Sequence, residues 1–168
     1  MKKGCFLLII ICLFTLHACS SHKQNKTIAI DYYYWKKNFE LDSFQKKIML
    51  STHSSHNYLR IFDVVWSEKR RMAVPVAVMK SKNELNENWQ PAIYITNESL
   101  IQTPTLQIDS LAEKIVRLTN QMVFEKKMDT TELQLDCDWT VATKEKYFHL
   151  VNEIKKLTNK KISATIPV

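Results

Sequence analysis

The sequence predicts an α/β fold assembled from parallel βα units. Three observations lead there. Short β-prone runs alternate with longer segments of helical periodicity. In the two clearest of those segments, apolar residues recur at the spacing that gathers them on one helix face. A parallel strand pair also needs a crossover connection, which such a helix supplies. The right-handed rule for these crossovers then puts the helices on one side of the sheet. Two architectures satisfy the pattern, an open α/β sheet and the N-terminal half of a (β/α)8 barrel. A complete barrel takes ~250 residues, more than the 168 present.

The elements follow in order. Residues 28–35 (IAIDYYYW) are aromatic and β-prone and read as the first strand. Residues 42–50 place Phe44 and Ile48, with Leu41 before them, at helical spacing. Residues 58–66 (YLRIFDVVW) have the composition of a buried strand. Residues 67–91 are polar and irregular, interrupted by the apolar run 73–79, and residues 91–95 (PAIYI) form a third strand. Residues 109–122 are an amphipathic helix with Leu111, Ile115, Leu118 and Met122 on one face and Asp109 as its expected N-cap. Residues 132–139 (ELQLDCDW) are the fourth strand. Residues 143–157 form a second clear helix carrying Tyr147, Leu150, Val151, Ile154 and Leu157, and residues 162–166 a fifth strand. A strand so near the end has no helix to cover it, so the chain is expected to be a truncated gene product.

Before this domain comes a different kind of sequence. Lys2 and Lys3 precede a run from Cys5 to Leu16 whose only polar residue is Thr15. As a helix that run spans roughly 18 Å, short of the ~30 Å hydrocarbon layer, which favours a signal peptide over a permanent span. Leu16-His17-Ala18-Cys19 resembles the lipobox of bacterial lipoproteins, with His17 departing from the usual small residue. The resemblance implies cleavage before Cys19 and acylation of that cysteine. One acyl chain holds a protein to a membrane only marginally, so a multiply acylated Cys19 is the expected anchor and the membrane the expected partner. The domain plan is therefore residues 1–18 as signal, 19–27 as polar tether and 28–168 as the α/β domain. The tether lacks the acidic cluster that resembles a surface-export signal, so a periplasm-facing position on the outer membrane is expected.

Composition narrows the function classes. With Lys2 and Lys3 removed, 22 basic and 17 acidic residues remain, and the basic ones are scattered along the chain. Only 69–71 and 160–161 form short basic runs, so no nucleic-acid partner is expected. Gly4 is the only glycine, which excludes a phosphate-cradling glycine loop and leaves no cofactor motif. His53 and His56 stand three apart in a loop without an evident third ligand, so no metal site is expected. With Cys5 and Cys12 in the signal and Cys19 acylated, Cys137 is the one remaining thiol and no internal disulfide can form.

The fourth strand holds the best candidates for chemistry. Side chains alternate across a strand, so Leu133, Leu135, Cys137 and Trp139 share one face, and Gln134, Asp136 and Asp138 the other. Carboxylates two residues apart lie about 7 Å apart along a strand. Their repulsion raises one pKa, which suits general acid–base work. Beside two aspartates the Cys137 thiolate is disfavoured, which makes it a poor nucleophile. Asp63, late in the second strand, is a further acidic candidate, with a salt bridge to Arg60 or Lys69 as its structural alternative. Trp35, Trp66 and Trp139, with Tyr32 and Tyr34, lie near strand ends, where aromatic rings either stack on sugars or pack the core.

The segment containing Asp136, Asp138 and Trp139 resembles strand four of chitinase-like glycoside hydrolases, whose motif runs D-x-x-D-x-D-x-E. Asp136 and Asp138 match its last two aspartates. Thr140 stands where that family has its catalytic glutamate, which removes the family's hydrolytic group. A wider set of stretches, 34–36, 60–66, 134–140 and 163–166, is similar to a family of uncharacterised bacteroidete lipoproteins with a predicted TIM-barrel, glycoside-hydrolase-like domain. Members of that group are longer. The resemblance implies the N-terminal half of a TIM barrel and a carbohydrate ligand, with Asp136, Asp138 and Asp63 as the acidic residues and Trp35, Trp66 and Trp139 as the sugar platform. Glycoside hydrolysis needs two carboxyl groups ~5–9.5 Å apart across the scissile bond, so a half-barrel is expected to be inactive. The alternative is a non-catalytic binding or scaffold lipoprotein.

Overall fold

The computed structural model describes residues 30–54, 56–81, 85, 89–128 and 130–166. The predicted signal, the lipobox with Cys19 and the tether lie outside these residues. No helix among the described residues is long and apolar enough to cross a membrane.

The elements run β1 (Tyr33–Tyr34), α1 (Ser43–Ser51), β2 (Asn57–Ser67), β3 (Met72–Val76), β4 (Trp89–Ile95) and α2 (Asn97–Gln102). A 3-10 turn (Thr105–Gln107) leads into α3 (Ile108–Glu125), followed by β5 (Glu132–Asp136), α4 (Lys144–Leu157) and β6 (Lys161–Ala164). Six strands form one sheet; five of them follow the order β1-β2-β4-β5-β6, with every neighbouring pair on that path parallel, and β3 joins β2 off the path. The α/β fold with a mostly parallel sheet is therefore as the periodicity predicts. The path ends at β1 and β6, which do not pair with each other among the described residues.

Several local expectations change. The apolar run 73–79 overlaps β3, which pairs antiparallel with the upper half of β2 from Asp63↔Val76 to Ser67↔Met72. Pro75 blurs the strand pattern, but its missing N–H is tolerated on an edge strand. Residues 97–102, unassigned by periodicity, form α2, with Thr96 as N-cap accepting from the Ser99 amide. A single ammonium closes its far end, since Lys146 Nζ donates to the carbonyls of Leu100, Ile101 and Thr103. Helix α3 starts before Asp109, which sits in the first turn and not at the N-cap. There its charge still favours the helix dipole. Strand β5 ends at Asp136, so Asp138 and Trp139 lie just beyond it.

The core lies between the sheet and α3 and α4. Leu111, Ile115 and Met122 of α3 and Tyr147, Leu150 and Ile154 of α4 are buried against Phe62, Val64, Ile93, Leu133 and Leu135. Tyr147 is fully buried and donates its hydroxyl proton to the Leu135 carbonyl at 2.9 Å. Helix α1 is well capped by Asp42 and Gln45 but buries no residue, and its expected core residue Phe44 is 69% exposed. Turns must be made without glycine, and four non-glycine residues take positive φ: His53, Arg71, Ala77 and Lys127, at 50–52°.

Candidate functional site

The helices cover one face of the sheet. The other face carries the candidate site. On β5 the alternation is as the sequence predicts: Leu133, Leu135 and Cys137 are buried toward the helices, which leaves Glu132, Gln134, Asp136 and Asp138 on the opposite face. Tyr33 of β1, Tyr58 and Arg60 of β2, Gln90 and Tyr94 of β4, and Lys161 and Thr165 at β6 join them through the contacts described next.

At the carboxyl end of the strands, Arg60 and Asp63 are bound side chain to side chain. Simple alternation puts residues three apart on opposite faces. A register shift between Arg60 and Phe62 inserts Ile61 as an extra residue, so Arg60 pairs with Ala92 and Asp63 with Tyr94. The bulge turns both side chains to the same side. The Arg60 guanidinium lies 5.3 Å from the centre of the Trp35 ring and 5.4 Å from that of Tyr94. Tyr33 stacks on Trp35 at 4.5 Å and on Tyr58 at 6.1 Å. The result is a layered row of rings with one cation held inside it.

Asp136 and Asp138 border this row but differ. Asp136 is buried and accepts from the Thr165 hydroxyl at 3.0 Å. Burial raises its pKa, the Thr165 hydrogen bond and Arg60 oppose the rise, and the neighbouring Asp138 charge adds to it. Asp138 is exposed and meets the Tyr94 hydroxyl at 3.4 Å. Burial, followed by the Asp138 charge, raises the Tyr94 pKa. The pair therefore combines one buried carboxyl whose pKa is raised with one that faces solvent.

At the amino end of the strands, Glu132 is almost fully buried yet ionic. It accepts from Tyr58 Oη at 2.9 Å and Lys161 Nζ at 3.0 Å, with His56 Nε2 at 3.3 Å. Burial works against its charge, but the neighbouring Ser163, Lys161 and Tyr58 groups favour it and hold the carboxyl at about 2. The Tyr58 phenol is pushed up to about 12 by burial and by Glu132. Gln90 Oε1 accepts from the amides of Thr131 and Glu132, fixing the start of β5. Three covered polar atoms on this face, Tyr33 Oη, Gln134 Oε1 and Ser163 Oγ, have no hydrogen-bond partner among the described residues.

The structure thus brings Asp63, Asp136, Asp138 and Trp35 to one end of one sheet face. It does not bring Trp139 there. That indole stacks on Tyr147 at 6.2 Å, meets Phe148 at 5.5 Å and donates to the Thr165 carbonyl, all on the α4 side. Trp66 lies in the hairpin opposite Ala73. Thr140 serves the turn into α4, its amide bonding Thr143 Oγ1 at 2.9 Å. Cys137 is buried, and burial with the Asp138 and Asp136 charges pushes its thiol up to about 12. Sequence reasoning missed Arg60, Tyr94, Glu132, Lys161 and Thr165 as members of this face. For Glu132 and Thr165 the signal was available, because each shares its alternation with a neighbour on the polar side. For Arg60 the salt bridge to Asp63 was foreseen as an alternative and is present, but its place among the rings was not, because the bulge leaves no mark in the residue pattern. No protein-family model, curated protein or solved structure matches this chain.

Proposed function

We propose that this chain is an envelope lipoprotein, anchored through Cys19, whose partial (β/α)8-type barrel binds carbohydrate on its polar sheet face without hydrolysing it. The observation that carries the reading is the grouping of Asp136 and Asp138 beside the Trp35–Arg60–Tyr94 layer at the carboxyl ends of parallel strands. Binding sites of α/β folds are built at that end. Sugar recognition combines ring stacking with carboxylates that accept hydroxyl protons. Trp35 is 47% exposed, which leaves ring surface for a pyranose. Asp63 supports the site by holding Arg60 in the aromatic layer and does not itself face the ligand. Trp66 and Trp139 leave the platform in this reading.

Two features favour binding over hydrolysis. Thr140, at the position of the related family's catalytic glutamate, is a turn residue. Asp63 is bound to Arg60, and Asp136 and Asp138 both come from one strand end where hydrolysis needs carboxyls on opposite sides of the bond. The test is glycan-array binding by the full chain and by Asp136→Asn/Asp138→Asn, with circular dichroism to confirm the fold. Binding that drops about tenfold or more in the variant, as expected for lost charge-assisted hydrogen bonds, supports the reading. Undiminished binding by the folded double variant removes the aspartates from the ligand site, and release of free sugar by the parent chain overturns the non-hydrolytic part.

A further inference from the structure

The connection from β2 to β4 is the one parallel crossover among the described residues that contains no helix. In its place the chain makes a turn, adds β3 to the edge of β2, and then returns along the apolar face. There Met79 bonds the Ile61 carbonyl, Leu85 bonds the Lys126 carbonyl, and both side chains are buried. Phe62 and Val64 floor a groove of about 360 Å³, with Ala73 and Val74 of β3 on one side and Leu111 and Ile115 of α3 on the other. Three cations, Arg70, Lys114 and Arg117, border it, and no acidic residue lines it. All three are exposed, and none is ion-paired with a described carboxylate.

We propose that this groove binds a single-chain anionic amphiphile, a fatty carboxylate. The apolar floor and walls take the acyl chain out of water, and the unpaired cations at the rim take the carboxylate in charge-assisted hydrogen bonds. The volume is in the range of small-molecule sites, ~300–1,000 Å³. Charge decides between occupants: a neutral amphiphile gains the apolar part alone, and a cationic one is repelled by all three side chains. The groove lies on the opposite face of the sheet from Asp136 and Asp138, so its occupancy and carbohydrate binding succeed or fail separately.

The experiment is photo-crosslinking of the full chain, in a neutral detergent, with a diazirine-bearing hexadecanoate and with the matching hexadecanol, followed by peptide mapping. The expected result is hexadecanoate adducts concentrated in β3 and in residues 111–121, competed by unlabelled hexadecanoate and stronger than those of the alcohol. Labelling falls about tenfold in Arg70→Gln/Lys114→Gln/Arg117→Gln. Because these three side chains are at the surface, the variant keeps the core intact. Ile115→Trp fills the groove and gives a second, charge-independent loss. Equal labelling by acid and alcohol, labelling unchanged in the triple variant, or adducts spread over α1 and the polar sheet face overturns the proposal.

Discussion

On the helix-covered side of β5, Leu133, Leu135 and Cys137 are at most 1% exposed and meet Tyr147, Leu150 and Ile154 of α4. On the other side of the same strand and the loop that follows it, Glu132 is held by three donors, Gln134 has an unpartnered carbonyl, and Asp136 and Asp138 stand next to one another. One face is stabilised by removing apolar surface from water, a contribution that is non-directional and insensitive to pH. The other is stabilised by particular donors meeting particular acceptors, and each such match depends on protonation state and on its partner being present. The comparison teaches that this sheet is folded from one side and specialised on the other.

Substitutions separate the two contributions. The largest effect is expected on the apolar side. Tyr147→Ala opens a cavity under β5 and removes one of the two donors to the Leu135 carbonyl, the Thr165 amide being the other, and a loss of about 3–5 kcal/mol is expected in urea unfolding. On the polar side, Glu132→Ala leaves the covered Tyr58 hydroxyl without its acceptor and costs about 1–3 kcal/mol. This residue also sets an acid limit. Its folded pKa of about 2 lies below its ordinary 4.5, so the stability it contributes is fully present above pH 4.5 and lost as pH falls toward 2. Unfolding midpoints measured across that window should fall for the parent chain and stay flatter for Glu132→Gln. The smallest effect has the opposite sign. Asp136 has a raised pKa, so its charge opposes folding at neutral pH, and Asp136→Asn is expected to leave stability unchanged or raise it slightly. An Asp136→Asn variant that unfolds more easily at pH 7 breaks the comparison, because the carboxylate would then be holding the face together.

What the sequence discloses follows the same division. The periodicity of residues 109–122 and 143–157 announces α3 and α4 because packing against the sheet demands apolar residues every three or four positions, and Leu111, Ile115, Leu150 and Ile154 are buried as that spacing requires. The alternation in residues 132–138 places Asp136 and Asp138 on one face for an equally local reason. The salt bridge of Asp63 with Arg60 was among the alternatives the sequence offered, but the bulge at Ile61 has no such signature, so the placing of that pair beside the two aromatic rings could not be read from residue order. Strand β3 was missed because an edge strand that carries Pro75 and is only partly buried resembles irregular chain. Helix α1 shows the converse failure. Phe44 and Ile48 have helical spacing, but Phe44 lies in solvent, and the helix meets the core through the partly buried Met49 instead.

The turns that flank β3 carry a consequence for how the molecule opens. Arg71 on one side of this strand and Ala77 on the other both occupy the left-handed region that residues with a Cβ avoid, at a penalty of ~1–2 kcal/mol each. The strand between them has one paired edge and only Ala73 buried. Steric tension is thus concentrated at both hinges of an edge ladder, and lifting that ladder away from β2 relieves it without disturbing α4 or β5. Hairpin release is therefore a sub-global breathing step favoured by its own hinges, and it would widen the wall of the α3 groove while the parallel strands stay in register.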